Sequence, residues 1–367
     1  MRIFDACTID GKEQLASQQL ILNTLFFFKM ESFTYNSSSI RVVFGSGSIN
    51  KTPDELKRLG ASRPLLLSTP EQEKHAKGLQ EILAGHFEVA EIFPRATMHT
   101  PVAVTMEALE FVKSRVADSL VSIGGGSTIG LGKALSIRTG LHHIAIPTTY
   151  AGSEVTPILG ETEDGRKSTR SNPKILPGTV IYDVDLMTSL PISLSATSGI
   201  NAIAHAIEAL YSPDRNPIID LVALEGIRAL AASLPDVVKD PQDIKARSQA
   251  LYGAWLSSFD LPHAETHTIV LPHALAFNTP EVYEAAQKLS VALPDSNGDA
   301  LEGLKNLLKR LPVPKGLKEL GMRAEDIDKA ADIAVNNPYQ NPREIKREPI
   351  RELIRRAWEG EDAKVDL

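Results

Sequence analysis

A single cysteine, Cys7, stands in the 367 residues, so no disulfide can close within the chain, and cysteine usage gives no support to an oxidising compartment. A cytoplasmic or otherwise reducing location is the expectation. Basic charge is also in short supply: 39 Lys and Arg face 46 Asp and Glu, for a formal net charge of −7. That balance argues against a nucleic-acid partner, because phosphate binding depends on clustered cations that neutralise a dense negative backbone. Long hydrophobic runs are missing too. The most apolar stretch near the start, Leu20 to Phe28, falls well short of the ~20 residues that cross a bilayer, so no membrane partner is expected. Nor does a basic segment lead into it, as a targeting peptide requires: Asp5, Asp10 and Glu13 stand beside only Arg2 and Lys12. Residues 1–30 are read as an extension of no structural weight, and the folded part is expected to begin beyond Met30, where Ser32-Phe33-Thr34-Tyr35 leads into a strand-like run.

What is present suits a soluble globular protein, since 43% hydrophobic and 23% charged residues supply a sizeable core. A chain of this length exceeds one ordinary compact core, and roughly 100–200 residues per domain suggests two lobes with a cleft between them. From Ile40 onward, short β-branched or apolar runs alternate with amphipathic stretches, the pattern of βαβ units and a mostly parallel sheet. Strands are expected at Ile40 to Phe44, Pro64 to Ser68, Val89 to Phe93, Ser119 to Ile123, His143 to Pro147 and Val180 to Asp183. Between the third and fourth, Val104, Ala108, Phe111, Val112 and Arg115 keep a helical period from a start at Pro101. After Asp185 the pattern changes. Ala202 to Tyr211, Ile218 to Leu234, Ile244 to Leu256, Val282 to Leu293 and Ile350 to Trp358 read as helices, and no convincing strand lies among them. The division expected is an α/β N-terminal domain over 31–190 and an all-helical C-terminal domain over 191–367, with the boundary near Leu190-Pro191.

One strand ends in Val121-Ser122-Ile123-Gly124-Gly125-Gly126-Ser127-Thr128 and opens a helix through Leu131, Ala134 and Leu135. Glycines at such a turn let the backbone approach a diphosphate, and free amides with the positive end of the helix dipole favour its charge. The plain alternative is a glycine-rich strand-to-helix turn without a ligand. A second candidate, Gly45-Ser46-Gly47, also follows a strand, but two glycines alone more often make a tight turn. The first loop has company: His143-Ile144-Ala145-Ile146-Pro147-Thr148-Thr149-Tyr150-Ala151-Gly152-Ser153-Glu154 is a strand running into a hydroxyl-rich loop. Both loops would line one crevice at the carboxyl ends of parallel strands. In the helical half, Asn201 and His205 stand four residues apart and so share a helix face. His263 and His267 repeat that spacing, with His273 close behind. Such spacing suits metal ligation or acid–base work, whereas the plain reading of any one of them alone is a satisfied core histidine.

Taken together, Gly124-Gly125-Gly126-Ser127, Pro147-Thr148-Thr149-Tyr150-Ala151-Gly152-Ser153-Glu154, Asn201-Ala202-Ile203-Ala204-His205-Ala206-Ile207-Glu208-Ala209-Leu210-Tyr211 and Leu261-Pro262-His263-Ala264-Glu265-Thr266-His267 resemble maleylacetate reductases, of the iron-containing (group III) alcohol dehydrogenase superfamily. The similarity runs from about Phe33 to Trp358 and includes Asn337-Pro338-Tyr339-Gln340-Asn341-Pro342-Arg343. It implies a dehydroquinate synthase-like fold, with a dinucleotide-binding N-terminal domain, a helical catalytic domain and a cleft between them. By that resemblance, Gly125, Gly126, Ser127 and Thr128 hold the pyrophosphate of NADH or NADPH, Thr148 and Thr149 touch the nucleotide, and Ser68-Thr69 lies near the adenosine ribose. No acidic residue ends the second expected strand, so discrimination between NADH and NADPH is expected to be loose.

Two departures from the family pattern follow. Metal-using relatives carry an aspartate ligand at the position of Asn201, and an amide there removes a charge that a divalent cation wants; metal is not expected to be required. Relatives also carry a helix-length, histidine-containing block before Leu261, whereas here Leu256-Ser257-Ser258-Phe259-Asp260 leads straight into Leu261-Pro262-His263, an internal deletion near 256–261. The activity the resemblance implies is NAD(P)H-dependent reduction of maleylacetate, a small dicarboxylate, to 3-oxoadipate in aromatic-compound breakdown, by a homodimer. His205, His263 and His267 are then the candidates to bind carboxylate or donate a proton, with Tyr150, Ser153, Asn201 and Arg343 as substrate contacts. The alternatives are a metal-dependent alcohol or glycerol-type dehydrogenase of the same superfamily, and a nucleotide-binding protein impaired in catalysis.

Overall fold

Short runs of Leu, Val and Ile that are apolar on both faces can satisfy themselves only inside a covered parallel sheet. The computed structural model, which describes residues 32–88, 90–258, 268–336 and 340–367, contains such a sheet. Its described strands, with a separate hairpin, are β1 (Arg41–Gly45), β2 (Pro64–Leu67), β3 (Glu91–Phe93), β4 (Ser119–Gly124), β5 (His142–Pro147), β6 (Ile158–Glu163), β7 (Arg166–Ser171) and β8 (Thr179–Asp183). The main sheet runs β1-β8-β5-β4-β2-β3, with every pair parallel. All six expected strands are therefore present with ends shifted by a residue or two; Val89, at the start of the third expected strand, lies outside the described residues.

The period-two alternation of the strands builds a core on each face. Leu66, Val121, Ile123, Ile144, Ile146 and Ile181 pack with Leu79 and Leu83, whereas Leu65, Leu67 and Leu120 face the other way onto Ala108, Val112, Leu131 and Leu135. The helices carrying these contacts follow α1 (Thr52–Arg58): they are α2 (Glu73–Leu83), α3 (Val102–Ser114) and α4 (Gly126–Thr139). Pro101 stands at the N-cap of α3, as its sequence position implies.

The β6–β7 hairpin was not expected. Its second strand, Arg-Lys-Ser-Thr-Arg-Ser, is exposed at every position and so carries no buried alternation to betray it. The signal that was available is the turn: Asp164 and Gly165 both take positive φ, 50° and 74°, the pairing that two-residue hairpins prefer. Leu159 of β6 packs with Ala134 and Ile175, and buried Glu161 on the same strand is held by Arg138 and Arg170.

From Ile192 onward every described regular element is helical: α5 (Ile192–Ala209), α6 (Pro217–Lys239), α7 (Ile244–Leu256), α8 (Leu271–Asn278), α9 (Tyr283–Ala292), α10 (Ala300–Lys309), α11 (Asp326–Asn336) and α12 (Arg347–Glu359). Asn216, Asp243 and Asp299 cap α6, α7 and α10 by accepting from backbone amides of the first turn, which satisfies donors that a helix start leaves orphaned. Helix α5 begins ten residues before the expected Ala202. Its first half is rich in Ser and Thr that bond back to their own helix, as Ser195 does to Pro191 O and Thr197 to Ser193 O, and this hides the helical period. Gly199 lies against Leu234 of α6, and Gly226 and Gly253 let α6 and α7 approach backbone to backbone. Ser37–Leu367 clusters as one compact unit, with the parallel sheet in its N-terminal part and the helices in its C-terminal part. No helix among the described residues is long and apolar enough to cross a membrane.

Candidate active site

Strands β2, β4 and β5 are neighbours in the sheet, so Ser68-Thr69, Gly124-Gly125-Gly126 and Thr148-Thr149 leave it side by side at its carboxyl edge. Gly124 has a φ of +156°, and a Cβ there would lie 2.4 Å from Thr128 Oγ1 and 2.6 Å from Gln72 Oε1. Only glycine fits that position. A Cβ on Gly125 would meet Thr149 Cγ2 at 3.0 Å, whereas one on Gly126 would find only Ala151 Cβ at 3.9 Å. The outer side of Gly126 is open space. Helix α4 starts there without a side-chain cap, so its first amides and its dipole point into that space. The Thr148 amide donates to Gly124 O at 3.1 Å, and Gln72 Nε2 donates to Thr148 Oγ1 at 2.6 Å, binding the loops to one another.

Around this cradle Ser68 Oγ, Thr128 Oγ1 and Thr149 Oγ1 are buried without a hydrogen-bond partner. Leaving a buried hydroxyl unsatisfied costs about 1–3 kcal/mol, and three at one spot mark a place built for a polar guest. Glycine cradle, uncapped helix start and orphaned hydroxyls together fit a nucleotide diphosphate. Ser127 is half-buried at the helix start. The other glycine turn behaves differently: Gly47 N donates to Asp183 and Asp185 at 3.1 and 3.0 Å, and Ile49 N to Asp183 at 2.8 Å. Its amides are filled by the chain's own carboxylates.

Beyond Thr149 the loop turns inward. Tyr150 is fully buried, and its hydroxyl lies 3.4 Å from Nη1 of Arg247, which is itself fully buried. Arg247 also donates to Ser195 Oγ at 2.7 Å, Leu190 O at 3.1 Å and Pro241 O at 3.0 Å, all neutral acceptors. Burial pushes the Tyr150 phenol above its usual range, and Arg247 opposes that. Ser153 offers its carbonyl and its Oγ to the buried ammonium of Lys133. Next to it Glu154, fully buried, accepts from Tyr182 Oη at 2.8 Å. Burial draws its carboxyl above the usual range, against the bonds from its own backbone and Tyr182 and the charge of Lys133.

In the helical part, Asn201 Nδ2 sits 3.1 Å from His205 Nε2, on the shared face of α5. His273, on α8, is buried, and burial pulls its pKa down to about 4, so it is neutral near pH 7. His263 and His267 lie outside the described residues. Arg343 donates to Phe277 O at 2.8 Å and to Leu367 O, and its guanidinium stacks over the Phe277 ring at 4.5 Å. These bonds commit it to the C-terminal segment. Of the residues singled out in the sequence, the structure brings together Ser68, Thr69, Gly125, Gly126, Ser127, Thr128, Thr148 and Thr149. It adds Gln72, Lys133 and Arg247, which sequence reasoning missed because each is a single polar residue in an ordinary helical or turn setting.

The sequence pattern described as iron-containing alcohol dehydrogenase matches residues 39–184, and that of the C-terminal part of the same family matches 195–259 and 257–358. The chain belongs to the iron-containing alcohol dehydrogenase family. Among its relatives, the maleylacetate reductase of Rhizobium sp. (strain MTP-10005) is 47% identical over 354 residues, covering 90% of this chain and 99% of that one. The maleylacetate reductase of Sphingobium indicum is 48% identical over 349 residues, covering 89% and 98%. The crystal structure of maleylacetate reductase from Agrobacterium tumefaciens matches with a TM-score of 0.85 at 45% identity, covering 91% of this chain and all of that one. As a member of this family the chain is an oxidoreductase, and NAD(P)H is the family's cofactor. Iron is the metal that the family name implies. Asn201 Nδ2 lies 3.1 Å from His205 Nε2, and no group of three or more His, Cys, Asp or Glu is disposed to hold a metal among the described residues.

Proposed function

We propose that this chain reduces the carbon–carbon double bond of maleylacetate to give 3-oxoadipate, with NADH or NADPH as reductant and without a tightly bound metal. The observation that carries the reading is the match along nearly the whole length of relatives named maleylacetate reductase. The amide of Asn201 on His205 supports the second half of it. When bound, the nicotinamide supplies the hydride. The chain's own part is to position and to polarise. Gly125, Gly126, Ser127 and Thr128 hold the pyrophosphate, with Thr148 and Thr149 beside it and Ser68-Thr69 toward the adenosine ribose. β2 ends in Leu67-Ser68-Thr69, with no carboxylate to repel a 2′-phosphate, so both nucleotides are accepted.

As hydride reaches one alkene carbon, negative charge builds toward an enolate, and fixed donors stabilise it. Tyr150, beside Arg247, and His205, braced by Asn201, are the described candidates to stabilise that charge and supply the proton, with Ser153 as a substrate contact; His263 and His267 are candidates from the resemblance alone, and Arg343, held by Phe277 O and Leu367 O, is withdrawn as a substrate contact. A homodimer and a cytoplasmic location belong to the same reading, the first from the resemblance and the second from the single cysteine. The two stretches of the C-terminal pattern meet at 257–259, and 354 aligned positions exceed what 90% of a 367-residue chain can fill. The first supports the reading that a block of the family pattern is missing there, and the second shows that the alignment carries gaps without placing them.

The test is to incubate the purified, chelator-dialysed chain with NADH and maleylacetate and to identify the product. 3-Oxoadipate formed by metal-free protein is the expected result. One iron or zinc retained per chain, with oxidation of glycerol or a simple alcohol in place of maleylacetate reduction, would replace this reading with the metal-dependent dehydrogenase.

A further inference from the structure

Lys133 lies seven residues beyond Gly126 on α4, two turns along the helix that opens the glycine loop. Its side chain is fully buried. Four oxygens surround Nζ: the Ser153 carbonyl, Ser153 Oγ at 3.3 Å, Thr156 Oγ1 at 3.1 Å and Ile158 O at 2.9 Å. All four belong to the segment that continues from Thr148-Thr149 into β6. An ammonium has three N–H groups to share among them and no lone pair, which is what four acceptors call for. A neutral amine would turn its lone pair onto an oxygen and surrender part of the grip.

We propose that Lys133 is a positioning residue of the nucleotide site, whose ammonium clamps the loop bearing Thr148, Thr149 and Ser153 onto the helix bearing Gly126, Ser127 and Thr128. The inference rests on reading those two loops as the nucleotide site. A diphosphate must touch both at once, so the clamp sets their spacing before the ligand arrives, and preorganisation of that kind raises affinity by cutting the cost of ordering.

The surroundings make the clamp sensitive to pH. Burial draws the Lys133 pKa down to about 7, with the negative charge of Glu154 pulling the other way. His143 on β5 faces it but is held neutral, its own pKa pulled to about 3 by burial and then by Lys133. Tyr182 on β8 reaches it only through Glu154. Arg138 on α4 is spent on Glu161 of β6, which Arg170 of β7 also holds. The charged groups of α3 pair at the surface, Glu110 with Lys113 and Glu107 with Arg95, and Lys167 and Lys174 are exposed. Below about 7 the ammonium holds the loop, and above it the hold weakens, so nucleotide affinity falls as pH rises through that value. Global stability moves the opposite way: between about 7 and the ordinary lysine value of 10.5 the folded chain binds fewer protons here than the unfolded chain, and this group's contribution to stability rises with pH. A residue that merely supported the fold would move both together.

The experiment is a fluorescence titration of the full chain with NADH from about pH 6 to about pH 9, where the reference ionisations of NADH-free carboxylates and free lysines are silent. The same titration is run on Lys133→Met and Thr156→Val, with thermal unfolding of each. Wild-type affinity should weaken roughly tenfold across the range, and Lys133→Met should bind weakly with no pH dependence. Thr156→Val, which deletes one acceptor of the ammonium, should shift the midpoint to lower pH. Should Lys133→Met fail to fold, the wild type and Thr156→Val decide. Tight binding that is flat with pH, or an unmoved midpoint in Thr156→Val, overturns the clamp alone. Absence of NADH binding at every pH overturns the nucleotide reading and the clamp with it.

Discussion

Gly126→Val is expected to fold as the wild type does and to lose NADH binding by at least about 100-fold, which is about 2.7 kcal/mol. The two halves of that expectation come from the same geometry. A side chain at position 126 meets only Ala151 Cβ, at 3.9 Å, so the protein itself has room for valine at the start of α4. The room it takes lies beside the uncapped amides at the start of α4. Gly124 makes the contrast. There a Cβ collides with Thr128 and Gln72 at a φ of +156°, so loss of binding in Gly124→Ala would not separate a damaged site from a damaged fold. Titration with NADH by fluorescence, beside circular-dichroism melting, reads both quantities for Gly126→Val. Unchanged affinity in a folded protein would remove the glycine loop from the site.

The second large effect concerns turnover. The chain as it stands is expected to bind nicotinamide nucleotide normally and to reduce maleylacetate slowly, well below the roughly 1–10³ s⁻¹ of ordinary enzymes. The glycine and hydroxyl loops are intact, whereas just past the end of α7 at Leu256 the two stretches of the C-terminal family pattern run into one another, where the resemblance implies a missing histidine-containing block. At that exit Ser257 Oγ and Ser258 Oγ are buried without partners, and Ser258 occupies the space that a Cβ on Gly152 of the hydroxyl-rich loop would need. Buried polar atoms left unsatisfied at a junction signal a local conflict between sequence and fold. Each lost general acid or base contributes about 10²–10⁴ in rate. Inserting a relative's block before Leu261 should raise the turnover number by that order, followed as NADH loss with maleylacetate. Ordinary turnover in the unmodified chain would mean that the remaining histidines suffice, and no gain from the insertion would put the deficit elsewhere.

The sheet was legible because each strand is an uninterrupted apolar run and the stretches between them are long enough to cross over it. The β6–β7 hairpin was not, since Arg166 to Ser171 bury nothing and only the Asp164-Gly165 turn speaks for them. The first half of α5 was masked by Ser and Thr that compete for their own backbone. At the site, glycines and threonines announce themselves by spacing. Arg247 does not: its reach to Tyr150 spans 97 positions, and within the run Ile244–Leu256 it reads as one more polar helical residue. Lys133 is hidden in the same way, a basic residue on a helix whose burial is visible only once the loop closes over it.

The turn at Gly45–Gly47 bears on how a ligand finds its place. Left-handed Gly47 and the amide of Ile49 form a concavity of the kind that captures anions, at the same edge of the same sheet as the glycine loop. A phosphate drifting along that edge thus meets two sockets of similar make. One is already plugged by Asp183 and Asp185, whose charges repel as well as occupy. On the proposed reading, Asp183 and Asp185 close the socket beside β1 and leave the one at β4 as the open member of the pair.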